Sequence, residues 1–63
     1  MPIANLQILE GREPLLKASL IRSVTAAIAD TLKVKPDSVR VIITEVPAEL
    51  WGIGGISARE RGR

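Results

Sequence analysis

Cysteine and histidine are both absent from this 63-residue chain, and Trp51 is its only aromatic residue. Without cysteine there can be no disulfide, and without either residue there is no Cys/His zinc site, so two common supports of very small domains are excluded. Ser19, Ser23, Ser38 and Ser57 have no histidine base to activate them, which excludes the usual serine hydrolase chemistry. Strong charge is lacking too: nine Lys/Arg against seven Asp/Glu give a formal +2, and Arg59, Arg61 and Arg63 crowd the end, where they read as a solvated tail. A basic face interleaved with stacking aromatics would mark a nucleic-acid binder, and none is present. No apolar run approaches the roughly 20 residues of a membrane span, and no basic segment leads into an apolar signal core. The expectation is a cytoplasmic protein with neither nucleic acid nor membrane as partner.

What is abundant is aliphatic carbon, in a chain that is 46% hydrophobic. Residues 1–63 read as one domain. A lone domain of this size buries only about 60% of the surface its unfolded chain exposes, so association with further subunits is the remaining way to complete the core.

Residues 2–9, PIANLQIL, alternate with Ala4, Leu6 and Ile8 on one face and Ile3, Asn5, Gln7 and Leu9 on the other, which predicts a strand ending at the turn former Gly11. Pro14 suits a first helical position, where its missing N–H costs nothing. Residues 14–33 follow as a helix, with Leu16, Leu20, Val24, Ala27 and Thr31 as the inward stripe and Ile21, Ile28 and Leu32 beside it. Pro36, Asp37 and Ser38 form a turn, and VRVIITEV at 39–46 is the clearest strand, with Val39, Val41 and Ile43 facing the helix. A strand, a crossover helix and a second strand imply parallel pairing. The outer sheet face, with Ile42, is left for another subunit. Residues 47–51 read as a loop, and glycine-rich 52–57 as a short hairpin arm. GIGGIS lacks both the lysine and the strand-then-helix setting of a phosphate loop.

Pro2 is the unexpected residue, because proline has no N–H to give to a sheet. Removal of Met1 would turn its nitrogen into a secondary amine. Free α-amino groups titrate near about 7.7–8.0, whereas every side chain here is an acid near 4 or a base above about 10. Nearby arginines and an apolar setting disfavour the protonated form and lower that pKa toward neutrality, where a general base works best. The chain therefore holds a candidate base without histidine. Lys17, Lys33 and Lys35 lie on a helix edge and a turn and read as solvated charges.

PIANLQILEGR, SVRVIITEV and WGIGG resemble, in composition and spacing, the signatures of the 4-oxalocrotonate tautomerase family. The resemblance implies an α/β (α+β) fold: a β-α-β subunit with parallel strands and a short C-terminal hairpin, pairing into dimers with a joined sheet and then into a hexamer, a trimer of dimers. It implies an isomerase that moves a proton between carbons of a 2-hydroxydienoate or unsaturated 2-oxo acid such as 2-hydroxymuconate, with no cofactor and no metal. By motif position the catalytic base is Pro2. Arg12 and Arg40, supplied by neighbouring subunits, grip carboxylate and 2-oxo oxygens, and Trp51, Leu9 and Ile53 line an apolar substrate-binding pocket. Arginine chemistry agrees, since its planar fork holds a carboxylate in two hydrogen bonds and its charge stabilises a developing dienolate.

Two departures stand out. Trp51 occupies a position where the family usually has phenylalanine, which alters the pocket. Leu9 and Ile53 stand where dehalogenating relatives carry a water-activating carboxylate and an extra arginine, which disfavours that chemistry. An alternative is a non-catalytic partner subunit of a hetero-oligomer that keeps Met1, in which the Pro2 nitrogen stays a non-basic amide.

Overall fold

The protein is described by a computed structural model covering residues 1–62; Arg63, expected in the solvated tail, lies outside the described residues. Two strands, β1 (Ile3–Leu9) and β2 (Arg40–Val46), pair in parallel from Ile3 opposite Arg40 to Leu9 opposite Val46. The helix α1 (Pro14–Leu32) connects them. A two-residue antiparallel pair, β3 (Gly52–Ile53) with β4 (Ile56–Ser57), forms the arm. The β-α-β unit and hairpin expected from the sequence are thus both present.

Each element starts and stops for local reasons. Pro14 begins α1, and the Glu13 carbonyl receives the N–H groups of Leu16 and Lys17 in place of a side-chain cap. Lys33 ends the helix in the left-handed conformation, with φ 59°, and both its N–H and that of Val34 return to the Ala29 carbonyl. Gly54 and Gly55 have φ of 61° and 89°. A two-residue hairpin needs positive φ at both central positions if the strands are to keep their twist, and glycine meets that need without a steric penalty.

Even-numbered β1 residues and odd-numbered β2 residues turn inward as expected, so Val39 is buried while Arg40, Ile42 and Thr44 are exposed. The helix stripe requires correction. Ala29 is buried, and Lys17, Ala18, Leu20, Val24, Thr25 and Ile28 are half-buried, whereas Leu16, Ala27, Thr31 and Leu32 are exposed. Aliphatics wrap most of the way around α1, so periodicity alone did not determine which of them meet the sheet. The contact is made mainly with β2. There Lys17 Nζ lies 3.0 Å from Glu45 Oε2, joining the start of the helix to the end of the strand, as the antiparallel run of a crossover helix against parallel strands requires.

One chain does not complete a core. Among the described residues, only Ala29, Val39 and Ala58 of the hydrophobic ones are buried. The chain exposes 4794 Å², against about 4,000 Å² for a compact monomer of this mass. Its radius of gyration is 14.4 Å, where a compact domain of this length has about 11 Å. The surplus of roughly 800 Å² marks a chain more extended than a self-contained monomer of its size. Ile3 and Ile42 stand exposed on the sheet face opposite α1, on adjacent strands, with Leu50 and Ile56 exposed along the arm.

Candidate active site

Pro2 directly precedes β1 and is half-buried, while Met1 before it is exposed. The Pro2 nitrogen has no hydrogen to donate to the sheet, but its carbonyl accepts the Arg40 backbone N–H at 3.0 Å. Parallel pairing therefore brings the start of β2 beside the start of β1, and Pro2 beside Arg40.

Arg40 follows a single 3₁₀ turn, Pro36–Ser38. Its Nη1 donates to the Asp37 carbonyl at 2.6 Å and to the Val39 carbonyl at 3.2 Å. Asp37 and Ser38 read in the sequence only as turn formers. Their contribution to Arg40 runs through a backbone carbonyl, which leaves no mark in residue type; the sole signal is the proximity of a proline-led turn to the arginine.

The remaining candidates lie at the other end of the sheet. Leu9 closes β1 opposite Val46, and Arg12 is exposed in the loop after it, next to Gly11 with φ 114°. The seven residues of β1, at about 3.3 Å each, separate Pro2 from the loop that carries Arg12. Trp51 follows β2 after a second short 3₁₀ turn, Ala48–Leu50, and is half-buried, as is Ile53. One chain thus sets Pro2 beside the Arg40 backbone at one end of the sheet and puts Leu9 and the Arg12 loop at the other.

The arm that carries Trp51 is fastened by contacts the sequence did not signal. The Trp51 carbonyl accepts the N–H of fully buried Ala58 at 2.7 Å, the Ala48 carbonyl accepts that of Arg59 at 3.3 Å, and Arg59 Nη2 lies 3.2 Å from Glu49 Oε2. Arg59, expected as part of a free tail, is exposed but tied down; Arg61 is exposed. The backbone N–H at Glu49, and secondarily the Arg59 cation, hold the Glu49 carboxyl below its ordinary value. Among the described residues, no side chains enclose a cavity within the single chain.

The profile of the family described as Tautomerase enzyme matches residues 2–61, nearly the whole chain. This chain belongs to the tautomerase family. It is an isomerase with the 4-oxalocrotonate tautomerase fold. Among tautomerase relatives, the 2-hydroxymuconate tautomerase of Stutzerimonas stutzeri is 54% identical over 63 residues, covering 100% of both chains. TomN, a 4-oxalocrotonate tautomerase homologue of the tomaymycin biosynthetic pathway, superposes with a TM-score of 0.95 at 43% identity, covering 97% of this chain and 94% of its own. A heterohexameric 4-oxalocrotonate tautomerase from Chloroflexus aurantiacus superposes with a TM-score of 0.92, also at 43% identity, covering 95% of this chain and 97% of its own. Among the described residues, no helix of this tautomerase is long and apolar enough to cross a membrane.

Proposed function

We propose that this chain, once Met1 is removed, transfers a proton between carbons of an unsaturated 2-oxo or 2-hydroxydienoic acid such as 2-hydroxymuconate, with Pro2 as the general base. The observation that carries the reading is Pro2 itself, half-buried at the head of β1 and anchored there by its carbonyl on the Arg40 N–H, in a chain that the tautomerase profile matches from residue 2 onward. The freed amine takes a proton from the substrate, from the 2-hydroxyl of the dienol or from a carbon next to the carbonyl of the 2-oxo acid. The resulting negative charge spreads over the 2-oxygen and the conjugated carbons, and the prolinium delivers the proton to a carbon at the other end of that conjugated system. Arg40 stabilises that charge at the 2-oxygen and the adjacent carboxylate.

Arg12 then holds a distal carboxylate, and Trp51, Leu9 and Ile53 supply apolar walls that favour the neutral amine. Because Arg12 lies in the loop beyond the far end of the strand that Pro2 begins, these groups come from different subunits, and the working enzyme is an oligomer, a homohexamer built as a trimer of dimers as the family resemblance implies. The exposed Ile3 and Ile42 face and the surplus surface of the single chain support that assembly.

The test pairs intact mass with kinetics. Loss of one methionine and a fall of at least about 100-fold in kcat for Pro2→Ala on 2-hydroxymuconate are expected, in line with the usual contribution of a general base; undiminished activity would refute the assignment. The heterohexameric neighbour favours a second reading, in which this chain is a partner subunit that retains Met1. A retained methionine together with a co-purifying homologous chain would select it.

A further inference from the structure

Arg40 is exposed, and an exposed arginine ordinarily keeps its rotamer freedom. Here Nη1 donates to two backbone carbonyls, those of Asp37 and Val39. Nη1 carries two N–H groups, so both are used. The Asp37 carbonyl belongs to the end of the Pro36–Ser38 turn, where the last carbonyls lack partners within the turn. That turn is closed three times: the Ser38 N–H at 3.0 Å and the Ser38 hydroxyl at 2.8 Å both donate to the Lys35 carbonyl, and the Val39 N–H donates to that of Pro36 at 3.0 Å. Pro36 fixes the backbone at its start.

We infer that the Pro36–Ser38 turn is a positioning device that presents Arg40 to substrate side-on. A guanidinium has two forks, the Nη1–Nη2 edge and the Nε–Nη2 edge. With both Nη1 hydrogens on backbone carbonyls, the first fork is closed and the second stays open. A 2-oxo acid offers two neighbouring oxygens, one of its carboxylate and one of its ketone, and the open fork takes both. Pro36 and Ser38 act through the turn, and Asp37 acts through its carbonyl, so its side chain is dispensable. This inference rests on the role proposed above for Arg40.

The experiment uses the processed full-length protein with 2-hydroxymuconate and compares Ser38→Ala, Ser38→Thr, Asp37→Ala, Arg40→Ala and the double variant Pro36→Gly/Ser38→Ala. The double variant is expected to lose about tenfold in kcat/KM while remaining folded by circular dichroism, Ser38→Ala to lose less, and Ser38→Thr and Asp37→Ala to stay within about twofold of the parent. Guanidinium nitrogen NMR gives a direct readout: slowed rotation at Nη1 of Arg40 in the parent and Ser38→Thr, averaged signals in Ser38→Ala and the double variant. Parental kinetics and an unchanged Nη1 signal in folded turn variants would overturn the inference. Full activity in Arg40→Ala would instead refute the role of Arg40 itself, and the NMR signal would still decide whether the turn holds it.

Discussion

The Arg40 backbone N–H donates to the Pro2 carbonyl at 3.0 Å, so a candidate base and a candidate cation share the first rung of a parallel sheet. Arg12 stands beyond the other end of the same strand. On the proposed reading the two arginines grip different parts of the substrate, Arg40 the 2-oxo end and Arg12 a distal carboxylate, and their losses should differ in kind.

On the proposed reading, Arg12→Ala removes a grip on a distal carboxylate. Charge-assisted hydrogen bonds of this type contribute about 1.5–3 kcal/mol, so kcat/KM for 2-hydroxymuconate should fall roughly 10- to 100-fold, chiefly through KM. A mono-acid enol such as phenylenolpyruvate lacks that carboxylate and should be almost unaffected. Arg40→Ala should instead lower kcat for both substrates, because it acts where charge develops. Equal losses on both substrates for Arg12→Ala would contradict its assignment to the distal end.

Ile42 is 51% exposed in the isolated subunit, on the sheet face opposite α1. Burying an unpaired carboxylate there costs several kcal/mol. If the proposed hexamer forms through this face, Ile42→Glu should shift the protein to smaller species in sedimentation velocity, and lower its melting temperature at fixed concentration. An unchanged sedimentation coefficient would mean that this face stays free of partners.

Lys33 terminates α1 in the left-handed region. A residue with a Cβ pays a penalty in that conformation that glycine avoids, and the gain is partly offset by glycine's freedom in the unfolded chain. Lys33→Gly should raise stability by roughly 0.5–1 kcal/mol. Denaturant unfolding at constant protein concentration checks it, and a destabilised variant would show that the lysine has a contact that outweighs its backbone strain.

The fold was legible because its signals are local. Alternation in PIANLQIL, Pro14 at the helix start, the β-branched run in VRVIITEV and the paired glycines of the arm each depend on neighbours in sequence. The inward face of α1 was not legible, since aliphatics surround the helix and the choice among them is made by the sheet and by the Lys17–Glu45 pair, 28 residues apart. The Glu49–Arg59 pair escaped notice for a similar reason: both residues are common surface charges whose partnership exists only once the arm folds back. Pro2, Arg12, Arg40, Leu9, Trp51 and Ile53 were visible as a set only through motif resemblance, because nothing in one chain gathers them.

That scattering has a genetic consequence. On the proposed reading, Pro2 and Arg12 of one subunit serve different catalytic centres, so each chain lends to one neighbour and borrows from another. A Pro2→Ala strain and an Arg12→Ala strain would each be defective alone, yet co-expression would generate mixed assemblies in which some centres draw an intact proline from one parent and an intact arginine from the other. Two inactive alleles would complement each other, as alleles of a single-chain enzyme do not.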